Sequence, residues 1–240
     1  MVKKLMEQII FPIRINRYLA LKGLGTRRGI DELIKKRRIT INGRIVLLGD
    51  MVRKEDVVEV TKTKHDHDKK LYYYAYYKPV GIVTPQQGER SHALISDKKL
   101  FSVGRLDKDS SGLMILTNDG RITDRLLNPA HEHEKEYIVE VDKKLTPHVL
   151  RILQQGIMIE GYRTKPSKTI FINDKTFRII LGEGKKHQIR RMVVAMGMQV
   201  RSLKRVRVMN ILLGKLQIGE MREIKGEELA DFLKALGLIS

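Results

Sequence analysis

The sequence predicts an α+β fold in two domains. In the second half of the 240-residue chain, strand-like runs are interrupted by isolated helices, a pattern typical of α+β proteins rather than of repeated βαβ units. A polar stretch without periodicity, residues 61–70, separates this part from a smaller and basic beginning. We therefore expect a small domain over residues 13–60, a flexible linker over 61–70, and a larger domain over 71–240.

The first domain is predicted to contain two short helices and a small sheet. Apolar residues at helical spacing, from Ile15 to Leu24, indicate the first helix. The second begins near Asp31 and ends in the basic run 35–38, where the helix dipole favours cations. The dipeptide 42–43, Asn-Gly, suits a type I′ turn. The predicted strands are 39–41, 44–46 and 56–60.

The second domain mixes strands and helices without a regular order. The predicted strands are 72–77, 81–84, 113–117, 135–141, 169–172, 177–181 and 206–209. The predicted helices are 121–127, 147–155, 186–196 and 227–236. Five tyrosines crowd the first strand, and alternation is expected to divide their rings between core and surface. An exposed row of rings would instead be a platform on which bases stack.

The charge of the chain favours a polyanionic partner. Lysine and arginine number 47 against 28 aspartates and glutamates, a net charge of +19. Residues 184–219 contain nine basic side chains and no acidic one, whereas a solvated surface usually mixes its signs. Such a segment predicts a face that contacts phosphates. Its cations are Lys185, Lys186, Arg190, Arg191, Arg201, Lys204, Arg205, Arg207 and Lys215.

The composition also excludes several classes of site. The chain has no cysteine, so it forms no disulfide, thiolate nucleophile or cysteine-ligated zinc site. No apolar run approaches the ~20 residues that span a bilayer. The apolar stretch 9–13 is too short, and too soon followed by arginines, for a secretory signal. We expect a cytoplasmic protein.

A short loop between two apolar stretches contains the most informative candidate residues. Residues 104–112 read Gly-Arg-Leu-Asp-Lys-Asp-Ser-Ser-Gly, which places Arg105 and Asp107 between glycines that permit positive φ. A lone aspartate in a glycine turn is most often structural. The stretch 107–112 also matches the first half of a calcium loop, but the twelfth position is Asn118 rather than the bidentate glutamate.

Four segments together resemble the pseudouridine synthases, which convert uridine in RNA to its C-glycoside isomer. The segment Gly104-Arg-Leu-Asp107 is similar to the central motif of that family. Lys78-Pro-Val-Gly81 is similar to the strand and turn that open its fold, and Lys135-Glu-Tyr137 to the strand that brings a tyrosine into the active site. The segment 182–192 is similar to the family's junction between a strand and a basic helix. The order also agrees, so the resemblance implies a synthase core over residues 71–240.

The resemblance implies a role for each matching residue. Asp107 is expected to break the glycosidic bond of an extruded uridine, either as a nucleophile or as a base. Tyr137 is expected to stack on the flipped base, and Arg190 to pair with Asp107 and keep it ionised. These three residues are the predicted catalytic set. The predicted substrate-binding residues are Arg105, which would hold the gap left by the base, Ile189, which would pack beneath it, Lys78 and Arg191.

Residues 13–60 resemble the S4 RNA-binding domain, with two basic helices before a small sheet that contains an Asn-Gly turn. The residues expected to contact RNA are Arg14, Arg17, Arg27, Arg28, Lys35, Arg38, Lys185 and Lys186. This combination resembles the RsuA, RluB, RluE and RluF branch, which modifies single uridines in ribosomal RNA. The run 134–146 is most similar to the RluF type, which acts on large-subunit RNA. The resemblance implies a monomer that needs no cofactor or metal and binds ribosomal RNA, a subunit or an assembly intermediate, without a membrane partner.

Two other classes of function would share some of these features. A ribosome-assembly factor with a catalytically silent synthase fold would share the charge and the S4-like domain, but it would have no need of Asp107, Tyr137 and Arg190 together. A DNA-binding regulator would require a recognition helix in a helix-turn-helix, and the strand-rich second half argues against one.

Overall fold

The computed structural model describes residues 10–22, 24–25, 27–61, 70–84 and 100–239, apart from the side chain of Arg28. The chain divides into two units. One comprises Met1–Leu71 with Asp119–Arg121 and Ser240, and the other comprises Tyr72–Asn118 and Ile122–Ile239. Helices and strands are mixed in both, so the α+β prediction is confirmed. The predicted linker falls almost wholly on residues 62–69, outside the described residues, and the domain boundaries stay predictions.

The first unit contains two helices and two small sheets. Its elements are β1 (Ile13–Arg14), α1 (Ile15–Leu21), α2 (Arg27–Lys35), β2 (Ile39–Ile41), β3 (Arg44–Ile45), β4 (Met51–Val52) and β5 (Val58–Val60). Strand β2 pairs with β3 and β5, and β1 pairs with β4. Asn42 and Gly43 have φ of 51° and 78°, as the predicted type I′ turn requires. Leu24 was expected in the first helix, but it is exposed beyond the end of α1.

The second unit is built on a single sheet of nine strands. Its strands are β6 (Tyr73–Lys78), β7 (Phe101–Val103), β8 (Ser111–Thr117), β9 (Lys135–Val141), β10 (Met158–Ile159), β11 (Tyr162–Arg163), β12 (Lys168–Asn173), β13 (Thr176–Leu181), β14 (Val200–Val208), β15 (Ile211–Leu212) and β16 (Met221–Glu223). Its helices are α3 (Arg121–Leu127), α4 (Pro147–Gln155), α5 (Gln188–Ala195) and α6 (Gly226–Ala235). The strand order is β12-β13-β9-β14-β8-β6-β16, with β7 beside β8 and β15 beside β14. Strands β10 and β11 form a separate hairpin.

The pairing of β14 places three parts of the chain side by side. Strand β14 runs antiparallel to β9 and parallel to β8, the one parallel pair among the described strands. In this register Arg205 is the partner of both Tyr137 on β9 and Gly112 on β8. The residues that precede β8 are therefore brought to the same place in the sheet as the start of β9.

Both faces of the sheet are buried at β6, which corrects the prediction for the tyrosine-rich strand. Tyr73 and Ala75 pack in one apolar cluster, whereas Tyr74 and Tyr76 pack in another. The alternate rings therefore enter two cores rather than a core and the surface. Burial also raises the pKa of Tyr76.

Residues 81–84 do not form the predicted strand. Gly81 has φ of 89°, which turns the chain, and its amide donates to the carbonyl of Lys108 at 2.8 Å. Thr84 is buried and its hydroxyl donates to the carbonyl of Leu106. The segment is held by the loop before β8 and not by a neighbouring strand, so its apolar sequence was misleading.

Candidate active site

Asp107 lies in a loop that two glycines connect to the sheet. This loop, residues 104–110, is called the Asp107 loop, and it joins β7 to β8. Gly104 begins it with φ of 80°. Gly112, with φ of 114°, lies directly against the backbone of Arg205, where a Cβ would overlap with the carbonyl oxygen. The glycines therefore fix both the bend of the loop and its distance from β14.

Lys78 anchors the Asp107 loop through hydrogen bonds from its buried ammonium. Its side chain is only 1% exposed, and Nζ donates to the carbonyls of Pro79 at 2.9 Å, Asp107 at 3.1 Å, Lys108 at 3.4 Å and Ser110 at 2.8 Å. Burial lowers the pKa of this ammonium, while the charges of Asp107 and Asp109 oppose that shift. Lys78 was predicted to bind substrate; in the structure it is enclosed by loop carbonyls, because the end of β6 runs underneath the loop.

The Asp107 loop forms one wall of a pocket of about 500 Å³. Asp107 and Arg105 line this wall, and Tyr137 and Ile189 line the pocket from β9 and α5. Of the cations expected to contact RNA, Lys185 and Lys186 also line the pocket. The fold thus gathers residues that are up to 84 positions apart in the sequence, from Arg105 to Ile189.

Tyr137 and Ile189 give the pocket a firm apolar side. Tyr137 is partly buried and packs between two apolar clusters. Ile189 is buried in one of them, together with Met192 and Val193 from the same helix. A flat ring and an aliphatic side chain beside a carboxylate suit an extruded, planar base.

The structure gives Arg190 other partners than the predicted one. Its guanidinium donates to the carbonyl of Asp109 at 2.8 Å and to the hydroxyl of Ser110 at 3.2 Å. The side chain in contact with the Asp107 carboxylate is instead that of His187, with Nε2 3.3 Å from Oδ1, a contact that is an ion pair only when the imidazole is protonated. The predicted helix 186–196 begins at Gln188, since His187 has a left-handed backbone with φ of 53°. This turn directs the imidazole, rather than Arg190, to the carboxylate.

Several cations of the basic segment are engaged within the protein. Arg191 pairs with Glu160 at 3.1 Å. Arg207 pairs with Glu134 at 3.0 Å and Glu136 at 2.7 Å, and its hydrogen bond to Glu134 lowers the pKa of that carboxyl. The acidic partners lie outside residues 184–219, so the segment's composition overstated its free charge. The prediction that Arg191 binds substrate has no support from the pocket lining.

Besides His187, two basic pocket residues were missed as site candidates. Arg205 is 4% exposed and lines the pocket, with Nε donating to the carbonyl of Leu113 at 2.7 Å. Lys135, at the start of β9, also lines the pocket, and its burial and the charge of Arg205 lower its pKa to about 8. From the sequence, Arg205 was expected to contact phosphate, and Lys135 appeared only as part of a motif. The sequence did contain a signal for Lys135. Side chains alternate along a strand, so positions 135 and 137 lie on the same face.

The first unit presents part of its predicted RNA surface. Arg14, Arg17 and Arg27 are exposed, and Lys35 is exposed with Glu32 2.7 Å away. Arg38 is partly buried and donates to the carbonyl of Thr61 through Nε at 2.9 Å and through a second nitrogen at 2.5 Å. The side chain of Arg28 lies outside the described residues. Within the parts of the chain that the structure describes, no helix is long and apolar enough to cross a membrane.

Comparison with known proteins agrees with this arrangement. The family described as RNA pseudouridylate synthase matches residues 72–195, and the S4 domain matches residues 13–58. The dual-specificity RNA pseudouridine synthase RluF of Escherichia coli strain K12 is 38% identical over 93% of this chain and 79% of its own length. The ribosomal large subunit pseudouridine synthase B of Bacillus subtilis is 32% identical over 90% of this chain and 93% of its own.

A solved structure matches almost the whole molecule. The crystal structure of a pseudouridylate synthase superposes with a TM-score of 0.67 at 27% identity, and the match covers 93% of this chain and 99% of that one. The family match covers more than half of the chain, and the matched range includes the Asp107 loop, Tyr137 and the start of α5. The protein is therefore an isomerase that belongs to the RNA pseudouridine synthase family and has an N-terminal S4 domain.

Proposed function

We propose that this protein isomerises a single uridine of large-subunit ribosomal RNA, with Asp107 as the catalytic carboxylate. The observation that carries the assignment of Asp107 is its place on a fixed loop at the wall of the pocket that Tyr137 and Ile189 also line. The name of one relative, a ribosomal large subunit pseudouridine synthase, supports large-subunit ribosomal RNA as the substrate.

The reaction needs a carboxylate, an apolar surface and removal of the target base from the RNA stack. Extrusion places uracil in the pocket at a cost of a few kcal/mol. Asp107 acts on the extruded nucleoside while the N1–C1′ bond breaks, and uracil turns against Tyr137 and Ile189. The C5–C1′ bond then forms, C5 loses its proton and N1 gains one. Atoms and charge balance without an additional reactant.

The exposed cations of the first unit support binding of folded RNA. Arg14, Arg17 and Arg27 can neutralise phosphates without breaking a described ion pair. In the second unit, Lys185 and Lys186 lie at the pocket and are suited to the phosphates that flank the target nucleotide. We further propose that the protein acts as a cytoplasmic monomer on ribosomal RNA or on an assembling subunit.

Release of tritium from RNA labelled at C5 of uridine tests the assignment. Wild type should release tritium from 23S RNA or a large-subunit precursor, and from 16S RNA much less. Asp107→Ala should release none while it binds the RNA and unfolds at an unchanged temperature. Asp231→Ala, which removes an exposed carboxylate from α6, is the matched control and should retain wild-type turnover. Wild-type turnover in Asp107→Ala would refute the role of Asp107.

A negative result with the wild type has its own meaning. If naked RNA and subunits at several stages of assembly release no tritium but bind tightly, the protein is a silent assembly factor. Release from 16S RNA alone would instead leave the isomerase in place and overturn the choice of subunit.

A further inference from the structure

The group in contact with the Asp107 carboxylate is the imidazole of His187. Nε2 of His187 lies 3.3 Å from Oδ1 of Asp107, and both side chains are partly open to solvent, at 46% and 36% exposure. Both residues line the pocket. Neither side chain has a salt bridge to any other described residue. The contact therefore lies at the place where the extruded nucleotide would meet the carboxylate.

The backbone of His187 is held independently of its side chain. Gln188 accepts from the amide of Lys185 at 2.9 Å and donates to the carboxylate of Glu183 at 2.5 Å. Glu183 is buried and also accepts from the amide of Lys165 at 3.0 Å and from the hydroxyl of Tyr162. These bonds fix the loop on both sides of position 187. A left-handed conformation costs a residue with a Cβ roughly 1–2 kcal/mol, and the surrounding contacts maintain it here.

Arg190 cannot take the same place without leaving its own bonds. Its guanidinium is attached to the carbonyl of Asp109 and the hydroxyl of Ser110, at the far end of the Asp107 loop. It therefore stabilises the backbone of the loop. His187 is left as the residue that determines the direction of the carboxylate itself.

We propose that His187 is a positioning residue that orients the Asp107 carboxylate for attack on the extruded nucleoside. This inference rests on the proposed function of Asp107. Fixing a reacting group in its productive direction removes rotational freedom before the chemical step, and a small misplacement lowers the rate severalfold to a hundredfold. The role of His187 should therefore appear in the turnover of bound RNA and not in its affinity.

Two substitutions separate the side chain of His187 from its backbone, and a third, at another histidine, is the control. His187→Gly removes the imidazole and is unstrained at φ of 53°, so it should fold normally and lower the single-turnover rate at saturating RNA about tenfold or more. His187→Asn also tolerates a left-handed backbone and offers an amide donor, so it should recover part of that rate. His148→Ala removes an exposed histidine from α4 and should leave the rate unchanged.

The results distinguish this inference from the proposed function. If wild type releases no tritium, the proposed function fails. If wild type is active and His187→Gly has the same saturating rate, the inference is overturned. It is also overturned if His187→Gly weakens RNA binding but retains the saturating rate, because His187 would then be an RNA contact.

Nuclear magnetic resonance tests the contact without any turnover. The imidazole signals of His187, assigned by their loss in His187→Asn, should move in Asp107→Asn. They should stay in place in Asp109→Asn, which removes an exposed charge from the same loop. Equal changes in the two variants would show a general charge effect and would refute the contact.

Discussion

At the residue scale, the buried ammonium of Lys78 is the clearest structural requirement of the site. Three carbonyls of the Asp107 loop and that of Pro79 share the three N–H groups of this ammonium, which is itself shielded from water. A lysine supplies them from one compact charged group, whereas the planar fork of an arginine would require a different arrangement of oxygens. The loop that carries Asp107 therefore depends on a residue that does not line the pocket.

Replacing Lys78 with methionine should loosen the Asp107 loop. The aliphatic stem stays packed, but the carbonyls lose their donor, so unfolding should become easier by roughly 2–4 kcal/mol and turnover should fall with it. Urea unfolding and tritium release measure the two effects. Lys108→Met, at an exposed position of the same loop, is the control and should change the free energy of unfolding by less than about 0.5 kcal/mol. Equal effects of the two substitutions would contradict the proposed support of the Asp107 loop by Lys78.

Gly112 is required by a close approach as well as by its φ. A Cβ there would overlap with the carbonyl oxygen of Arg205 and lie 2.5 Å from its amide nitrogen, so Gly112→Ala should separate β8 from β14. The expected cost is roughly 3 kcal/mol or more, measured as a lower temperature of unfolding. Gly219→Ala, with φ of 86° and no neighbour within 4 Å, isolates the cost of φ alone and should lose about 1 kcal/mol. A smaller loss at Gly112 than at Gly219 would refute the packing argument.

At the scale of elements, β9 combines a core strand with a titratable pocket wall. Lys135 begins the strand, and its pKa of about 8 is below the ordinary 10.5 because it is buried near Arg205. Below pH 8 the ammonium is charged in both the folded and the unfolded chain, and the folded state bears the whole cost of burying it. Between pH 8 and 10.5 the folded lysine loses its proton first, so this cost disappears as the pH rises.

Lys135→Met should therefore be more stable than wild type at pH 7 by roughly 1–3 kcal/mol. The difference should shrink as the pH rises from 8 towards 10.5. Urea unfolding of both proteins across this range measures it. His148→Ala serves as the control, since an exposed side chain should give no such dependence on pH. A difference that grows with pH would contradict the sign of the shift.

The sequence predicted several elements to the residue, but it predicted the longest strand, β14 (Val200–Val208), only as 206–209, and it predicted short or long-range features poorly. The bounds of α3, α4 and β9 agree with the prediction, because amphipathic or alternating patterns run through their full length. Strands of two or three residues, such as β7 and β16, are too short to show a period. The contact between His187 and Asp107 arises from a left-handed residue and from the meeting of two distant loops, and neither has a local pattern. Motif resemblance singled out Asp107 and Tyr137, which both line the pocket, but it gave no sign that Lys78 is enclosed.

At the scale of the whole molecule, the excess of positive charge is divided between two units with different tasks. In the second unit much of the basic segment serves internal bonds, for example Arg207 with two glutamates. In the first unit Arg14 and Arg17 are exposed and have no ion pair among the described residues. Sequence-independent attraction to RNA should thus depend more on the first unit than the total charge suggests.

Reversal of Arg14 and Arg17 to glutamate should weaken RNA binding about tenfold or more at ~0.1 M salt. The slope of the logarithm of affinity against the logarithm of salt concentration should become shallower by roughly 1.5–2, because two phosphate contacts no longer release counterions. Lys225→Glu with Lys234→Glu applies the same change of charge around α6 and should leave the slope unchanged. Turnover at saturating RNA should survive in the Arg14 and Arg17 variant, because the Asp107 pocket is built wholly within the second unit. An equal loss of slope in both variants would mean that net charge, rather than the surface of the first unit, attracts the RNA.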